Sequence, residues 1–278
     1  MLDLYHATCH ECSRLITHRY STSFSAGIRA FDPSIRQPIY AIYGFVRFAD
    51  EIVDSFHDFP KAALLQKFKE DTWHAIDERI SLNPVLTAFQ EVVHTYHIPR
   101  TLIESFLQSM EMDLSPQTYD ELTYDQYIYG SAEVVGLMCL HVFCNGDLNL
   151  YDQLKGPARR LGAAFQKINF LRDLKSDFED LGRIYFPGVD FRKFTAEHKQ
   201  QIEADIHRDF IEGYKGILLL PASARFGVYL AFVYYFSLFK KIRQVPSHAV
   251  QSSRIRVNAF EKLVLLFQTS LRIKLNML

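Results

Sequence analysis

The absences in this chain narrow its reading before any motif does. Its 278 residues contain one Trp and four Cys, and 31 Lys and Arg stand against 32 Asp and Glu. A net charge of −1 argues against nucleic acid as a main partner, because binding a phosphate backbone needs a basic surplus. A chain this long buries enough surface to hold together without disulfides or a structural metal. Cys9, Cys12, Cys139 and Cys144 are therefore expected as reduced thiols packed in helices. Cys9 and Cys12, with His6 and His10 interleaved, have the form of half a zinc site. The other half is missing, because Cys139 and Cys144 belong to the apolar stretch that starts at Val134. The N-terminus MLDLYHATCHECSRLI has no basic region followed by an apolar run, so it does not read as a secretory signal. The longest apolar stretch, Phe226 to Phe239, covers 14 residues, short of the ~20 that cross a bilayer. It reads as a buried helix, and the protein is expected to be cytoplasmic. There is no G-x-G-x-x-G, no Walker loop, no G-x-S-x-G and no H-E-x-x-H, which disfavours the enzyme classes built on them.

Aromatic rings are abundant: 23 Phe and 15 Tyr join the single Trp. The pattern is helical almost throughout, with no period-two strand run and no Asn-Gly hairpin signal. Helices are predicted near 3–18, 34–57, 60–79, 84–95, 99–113, 123–144, 150–181, 195–218, 222–243 and 256–274. Pro33, Pro38, Pro60, Pro84, Pro99, Pro116, Pro187, Pro221 and Pro246 punctuate them, with Pro38 close to a helix start. No linker, charge block or repeat divides the chain, so residues 1–278 are expected to form a single all-α domain.

Four Asp pairs are spaced i, i+4, which puts two carboxylates on one helical face. Context separates them. In IYAIYGFVRFADEIVDSF (39–56), Tyr43, Arg47, Asp50 and Asp54 form one polar stripe on an otherwise apolar helix. Such a helix is buried, and its stripe must face other polar groups or a wet cavity, since buried unpaired carboxylates are costly. In GAAFQKINFLRDLKSDFEDLGRIYFP (162–187), Gln166, Asn169, Asp173 and Asp177 form a second stripe, with Arg172 beside it. If the two helices face each other, four carboxylates surround one cavity and invite a divalent cation, with substrate phosphates completing its shell. A buried ion-pair network with nearby Arg is the structural alternative. The pair Asp205 and Asp209, set among Glu203, His207, Arg208 and Glu212, reads as a solvated face, and Asp58 as a helix end.

Those stripes resemble the paired aspartate-rich motifs of the squalene/phytoene synthase family, the head-to-head prenyl synthases. The resemblance rests on YSTSF (20–24), AIYGFVRFADEIVD (41–54), YIYGSAEVVG (127–136), AFQKINFLRDLKSDFEDLGRIYFP (164–187) and SRIRV (253–257). These segments run in family order over nearly the whole chain, and DEIVD is most similar to the bacterial phytoene type. The resemblance implies an all-α isoprenoid synthase bundle around a central cavity. It implies Mg²⁺, with Mn²⁺ as a substitute, held by Asp50, Asp54, Asp173 and Asp177, with Asn169 near the second pair. Arg47, Arg172 and Arg183 would touch diphosphates, and Arg254 or Arg256 matches the family's late basic residue. Tyr43, Tyr129, Tyr185 and Ser21 would line the reacting centre, with Gln166 beside them. Phe24, Phe45, Phe48, Phe165 and Phe170 would offer ring faces to a carbocation.

The reaction so implied joins two geranylgeranyl diphosphates into phytoene through a cyclopropylcarbinyl diphosphate, without NADPH. Squalene or dehydrosqualene synthesis from farnesyl diphosphate is the alternative. Ile28 stands where some members that make shorter products carry an aromatic, which bears on chain length. A class I terpene cyclase and a non-catalytic family member are more distant rivals. The first pairs its acidic motif with a more widely spaced triad, and the second has lost acidic residues that both motifs keep here. Apolar substrates and products also imply transient contact with the inner membrane face, for which a near-neutral chain offers no obvious polybasic patch.

Overall fold

The computed structural model describes residues 1–115, 119–179, 182–189, 193–250 and 254–275, with the side chains of 273 and 274 excepted. Its helices are α1 (Leu2–Tyr20), α2 (Thr22–Arg29), α3 (Pro33–Ser55), α4 (Lys61–Glu78), α5 (Pro84–Thr95), α6 (Arg100–Met112) and α7 (Glu121–Ile128). A π-helical turn (Tyr129–Glu133) leads into α8 (Val134–Cys144), followed by α9 (Leu148–Glu179), α10 (Ala196–Leu219), α11 (Ala222–Gln244), α12 (Ser247–Val250) and α13 (Ala259–Lys274). Among the described residues the fold is all-α, with Ile184 alone making a strand-like bridge.

Local chemistry sets the helix starts. Asp32 accepts from the Ser34 backbone N–H with Pro33 next to it, and Asn83 accepts from Val85 with Pro84 next to it. Each pairs an N-cap oxygen with a proline at the first helical position, where its missing N–H costs nothing. Reciprocal capping boxes open α7 at Asp120 and Thr123, and α10 at Thr195 and His198. Pro38 does not mark a start: it lies one and a half turns inside α3. The expected breaker Pro116 and the expected helix end at 181 lie outside the described residues.

Two buried cores adjoin. The first gathers Ile39, Ile42, Phe45 and Ala49 of α3 with residues of α5, α6 and α8, and Phe45 stacks on Phe89 with ring centroids 3.9 Å apart. The second gathers Ala164, Ile168, Phe170 and Leu171 of α9 with Phe210 of α10 and Phe239 of α11. The π turn sits where they meet. A Cβ on Gly130 would lie 2.5 Å from the Ser105 carbonyl of α6, and one on Gly162 of α9 would lie 2.9 Å from the Ala132 carbonyl. Glycine at both positions lets α6, the turn and α9 pack backbone to backbone.

α11 and the continuous α7–α8 stretch Glu121–Cys144 are each long and apolar enough to cross a membrane by length and composition. The apolar run Phe226 to Phe239 is thus part of a longer apolar helix than its own length suggested. α11 is partly buried here against α2, α9, α10 and α13.

Candidate active site

α3 and α9 bring the two acidic stripes together, and Arg183 is the join. Its guanidinium donates to the Asp54 carboxylate at 2.9 Å and to the Asp113 carbonyl at 2.8 Å, and lies 3.5 Å from the Asp113 carboxylate. Its own backbone N–H donates to the Asp177 carbonyl at 2.8 Å. A single buried cation therefore ties the first stripe, the end of α6 and the second stripe. Beneath it Tyr127 donates to both Asp113 carboxylate oxygens at 2.8 and 2.9 Å. Tyr185 stacks on Phe170 with centroids 3.9 Å apart.

The carboxylates of the cleft divide into two kinds. Asp54 is held by Arg183. Asp173 is gripped from two sides, by the Arg172 Nη2 at 2.5 Å and by the Arg254 Nε at 2.7 Å. Asp50 has its nearest cation, Arg47, 3.8 Å away, because Arg47 turns to Glu51 and lies 4.5 Å over the Tyr20 ring. Asp177 makes no ion pair among the described residues. These last two are pushed up to about 7, by burial first and next by the neighbouring charges of Asp54 and Asp173 respectively. Negative charge is thus in local surplus at Asp50 and Asp177, which suits a divalent cation. No three Asp, Glu, His or Cys among the described residues are placed to share one ion. Magnesium takes one or two protein carboxylates and completes its shell with phosphate oxygens and water, and Asp50 and Asp177 offer one such carboxylate from each helix.

Around the cleft, Tyr43 hydrogen-bonds Ser21 and faces Phe24 with centroids 5.4 Å apart. Burial raises the Tyr43 hydroxyl to about 12, so it stays protonated at neutral pH. Tyr235 donates to Asn169 at 3.4 Å, Asn169 to Gln166 at 3.4 Å, and Gln166 to Ser131 at 3.4 Å. This chain of weak contacts orders the face one turn before Asp173.

Several expectations change. Ser21 also has a structural duty, as the N-cap of α2 that accepts from the Phe24 N–H. Tyr129 lies 5.1 Å under the Arg159 guanidinium and beside Tyr151, and it is Tyr127, two residues earlier, that joins the Arg183 network. Of the five phenylalanines, Phe45 and Phe170 are packed in the cores, whereas Phe24 and Phe48 keep 41% and 36% of their surface exposed. Phe165 stacks on Tyr235 at 4.0 Å. Between the two late arginines, Arg254 is the one that reaches the acidic stripe; Arg256 offers its carbonyl to Lys241. Ser253, the first residue of SRIRV, and Asp180 lie outside the described residues. Sequence reading missed Asp113, Tyr127, Tyr235 and Ser131. Only Tyr127 and Ser131 carried a signal, since both lie within YIYGSAEVVG.

Asp209 corrects the sequence reading outright. It is 3% exposed, and Lys167 bonds it at 2.7 Å and Asp205 at 2.5 Å, with Arg160 3.4 Å from Asp209. This pair clamps α10 to α9 from inside and is not a solvated face. Far from the cleft, His6 and His10 both turn to Glu91 beside a cavity of ≈ 510 Å³, while Cys9 is buried against Tyr5 and Thr87. The four cysteines are free thiols, and the histidines pair with a carboxylate in place of Cys9.

A bundle whose two acidic helices converge on buried and rim arginines is the architecture of an all-α isoprenoid synthase. The Squalene/phytoene synthase family model matches residues 17–261, and the chain belongs to that family. A presqualene diphosphate synthase of Rhodopseudomonas palustris is 32% identical over 191 residues, covering 66% of this chain and 65% of its own. The chain thus spans just under two-thirds of that relative's length. A phytoene synthase of Arthrospira platensis is 27% identical over 95% of this chain and 93% of its own. Among solved structures, a dehydrosqualene synthase in complex with a ligand superposes with a TM-score of 0.81 at 20% identity, covering 97% and 98% of the two chains. At that identity the likeness establishes the fold.

Proposed function

We propose that this chain is a head-to-head prenyl synthase that joins two geranylgeranyl diphosphates into phytoene through a cyclopropylcarbinyl diphosphate. One observation carries the reading: two acidic helical stripes face one another, joined by Arg183 and rimmed by Arg47, Arg172 and Arg254. Phytoene synthases also match this chain over most of both lengths, 95% and 93% for the Arthrospira protein.

The arginines bind and orient the diphosphates. Arg172 and Arg254 now neutralise Asp173, and a diphosphate offers their planar forks a better acceptor. Magnesium, with manganese as a substitute, would be held by Asp50, Asp54, Asp173 and Asp177 with Asn169 nearby, and when bound supplies the positive charge that lets carboxylates and diphosphate share one cleft and eases diphosphate departure. Departure of the first diphosphate leaves an allylic cation, which the double bond of the second substrate attacks; loss of a proton closes the cyclopropane. Departure of the second diphosphate, rearrangement and loss of one more proton give the hydrocarbon. Phe24, Tyr43, Phe165 and Tyr235 present ring faces that keep water off these cations. The Tyr43 hydroxyl, protonated at neutral pH, relays the departing proton to diphosphate oxygen and is not itself a base.

The presqualene diphosphate synthase relatives, at 32% and 35% identity, favour a second reading in which farnesyl diphosphate is the substrate. Purified protein is incubated with geranylgeranyl diphosphate and Mg²⁺ without NADPH, and the hexane extract is analysed by mass spectrometry. Phytoene, lost with EDTA and in Asp50→Asn, is the expected result. A C30 product or presqualene diphosphate from farnesyl diphosphate alone selects the second reading, and silence with both substrates overturns the enzyme.

A further inference from the structure

Helix α13 is built inside out. Its polar Thr269 points inward and is 2% exposed, and Leu265 and Leu266 are half-buried. Phe260, Leu263, Val264, Phe267 and Leu271, with Leu275 just past the helix end, are 36–74% exposed. The spacing i, i+3, i+4, i+7, i+11, i+15 lays them along one stripe. Among the described side chains no charge interrupts that stripe, because Glu261 turns aside to Lys241 at 2.5 Å. An unbroken apolar stripe facing outward is not how a helix at a water-exposed surface is normally patterned.

The charge around this helix says what covers it. The near-neutral total conceals a strong asymmetry: residues 240–278 hold eight Lys and Arg and one carboxylate, Glu261, in a chain of net charge −1. Lys240, Arg243, Arg256 and Arg272 are exposed. Lys240 lies 4.8 Å over the half-buried Phe236 ring and Arg243 5.7 Å over the buried Phe239 ring, and Lys240 and Arg272 line one cavity with Leu265 and Gln268 of α13. A second copy docking through the same face would bring this cationic surplus against itself. An anionic lipid surface meets both features, taking the apolar stripe below its headgroups and the cations among them.

We propose that α13 docks the protein on anionic bilayers, seating Phe260, Leu263, Phe267 and Leu271 at the acyl boundary while Lys240, Arg243, Arg256 and Arg272 meet headgroup phosphates. An aromatic cavity of ≈ 390 Å³ between α11 and α13, lined by Tyr214, Tyr229, Phe232, Phe236 and Leu265, lies along the Gln268 and Arg272 flank of this helix. Docking brings that cavity to the lipid interface. The proposal rests on helix geometry and charge and stands independently of which substrate the cleft takes.

The test is flotation of the purified full-length chain with phosphatidylcholine vesicles, with and without phosphatidylglycerol, at low and high salt. The expected result is co-flotation with the anionic vesicles that weakens with salt. Phe267→Glu with Leu271→Glu reduces it about tenfold or more, and Lys240→Glu with Arg243→Glu reduces it on anionic vesicles. The changed side chains are exposed, so melting temperatures stay at the wild-type value. The milder pair Phe267→Ser and Leu271→Ser gives the same direction should the glutamates disturb the fold. Three results each overturn the proposal: no flotation, equal flotation with neutral vesicles at high salt, or a wild-type dimer in sedimentation that Phe267→Glu dissociates.

Discussion

Asp50 and Asp177 are the cleft carboxylates without a close cation, and both are pushed up to about 7 by burial and by an aspartate neighbour. Each therefore holds its proton more tightly in the folded chain than in the unfolded one, where a carboxyl titrates near ~4. Between those values the folded state binds more protons, so these groups make the metal-free protein more stable as pH falls from about 7 toward the unfolded range. Above the folded value their contribution no longer changes with pH. Asp50→Asn removes one such group. In EDTA the variant is expected to melt higher than the wild type at neutral pH and to show a shallower pH dependence, while synthase turnover is lost. Calorimetry across this pH range checks it; a variant that melts several degrees lower means that Asp50 acts as a stabilising partner of Arg47. Arg183 has the opposite sign. It is 7% exposed and partners the half-exposed Asp54 and the buried Asp113, so Arg183→Met strands the buried Asp113 carboxylate and is expected to cost about 3 kcal/mol, read as a lowered denaturation midpoint.

Individual elements explain what the sequence could show. The helix over 84–95 was legible because Asn83, Pro84 and apolar periodicity agree there, and the one over 222–243 because Pro221 precedes a long apolar run. The stripes on α3 and α9 were legible because a polar row on an apolar helix is visible in spacing alone. Helix α2 was not, since eight residues give too few turns for a period to register. The 123–144 prediction ran a single helix through what is α7, a π turn and α8, because the extra residue of a π turn leaves no mark on composition. Asp209 was misread because its partner Lys167 is 42 residues away on another helix. Asp113 was missed for the same reason, as its partner Arg183 is 70 residues away. The Lys167 clamp makes a prediction at this scale. Lys167→Met leaves Asp209 buried with only the exposed Arg160 3.4 Å away, and is expected to cost about 3 kcal/mol. Adding Asp209→Leu removes the stranded charge and recovers most of the loss. Urea denaturation of the single and double variants measures both, and a double variant no better than the single would show that the clamp matters by packing alone.

At the scale of the whole molecule, the cleft lies on the seam between the two cores. α3 belongs to the first and the later half of α9 to the second. In the metal-free chain the seam is held polar to polar by Arg183, with Asp50 and Asp177, which have no close cation among the described residues, pushing against it. Magnesium alone relieves that repulsion but finds too few protein oxygens for its shell. Pyrophosphate alone meets the rim arginines but also the acidic stripes. The two together satisfy every group, so their effects on stability are expected to be greater than additive. A pair that binds only the folded chain adds about 2.7 kcal/mol at a hundredfold excess over Kd, which for a chain of this size raises the melting temperature by roughly 5–10 °C. Thermal unfolding with Mg²⁺, with pyrophosphate and with both distinguishes the cases. Purely additive shifts would mean that the stripes and the arginines act as separate sites. Synergy that disappears in both Asp50→Asn and Asp177→Asn would mean that both cores contribute to one site, because neither carboxylate reaches its counterpart unless α3 and α9 stay in register across the seam.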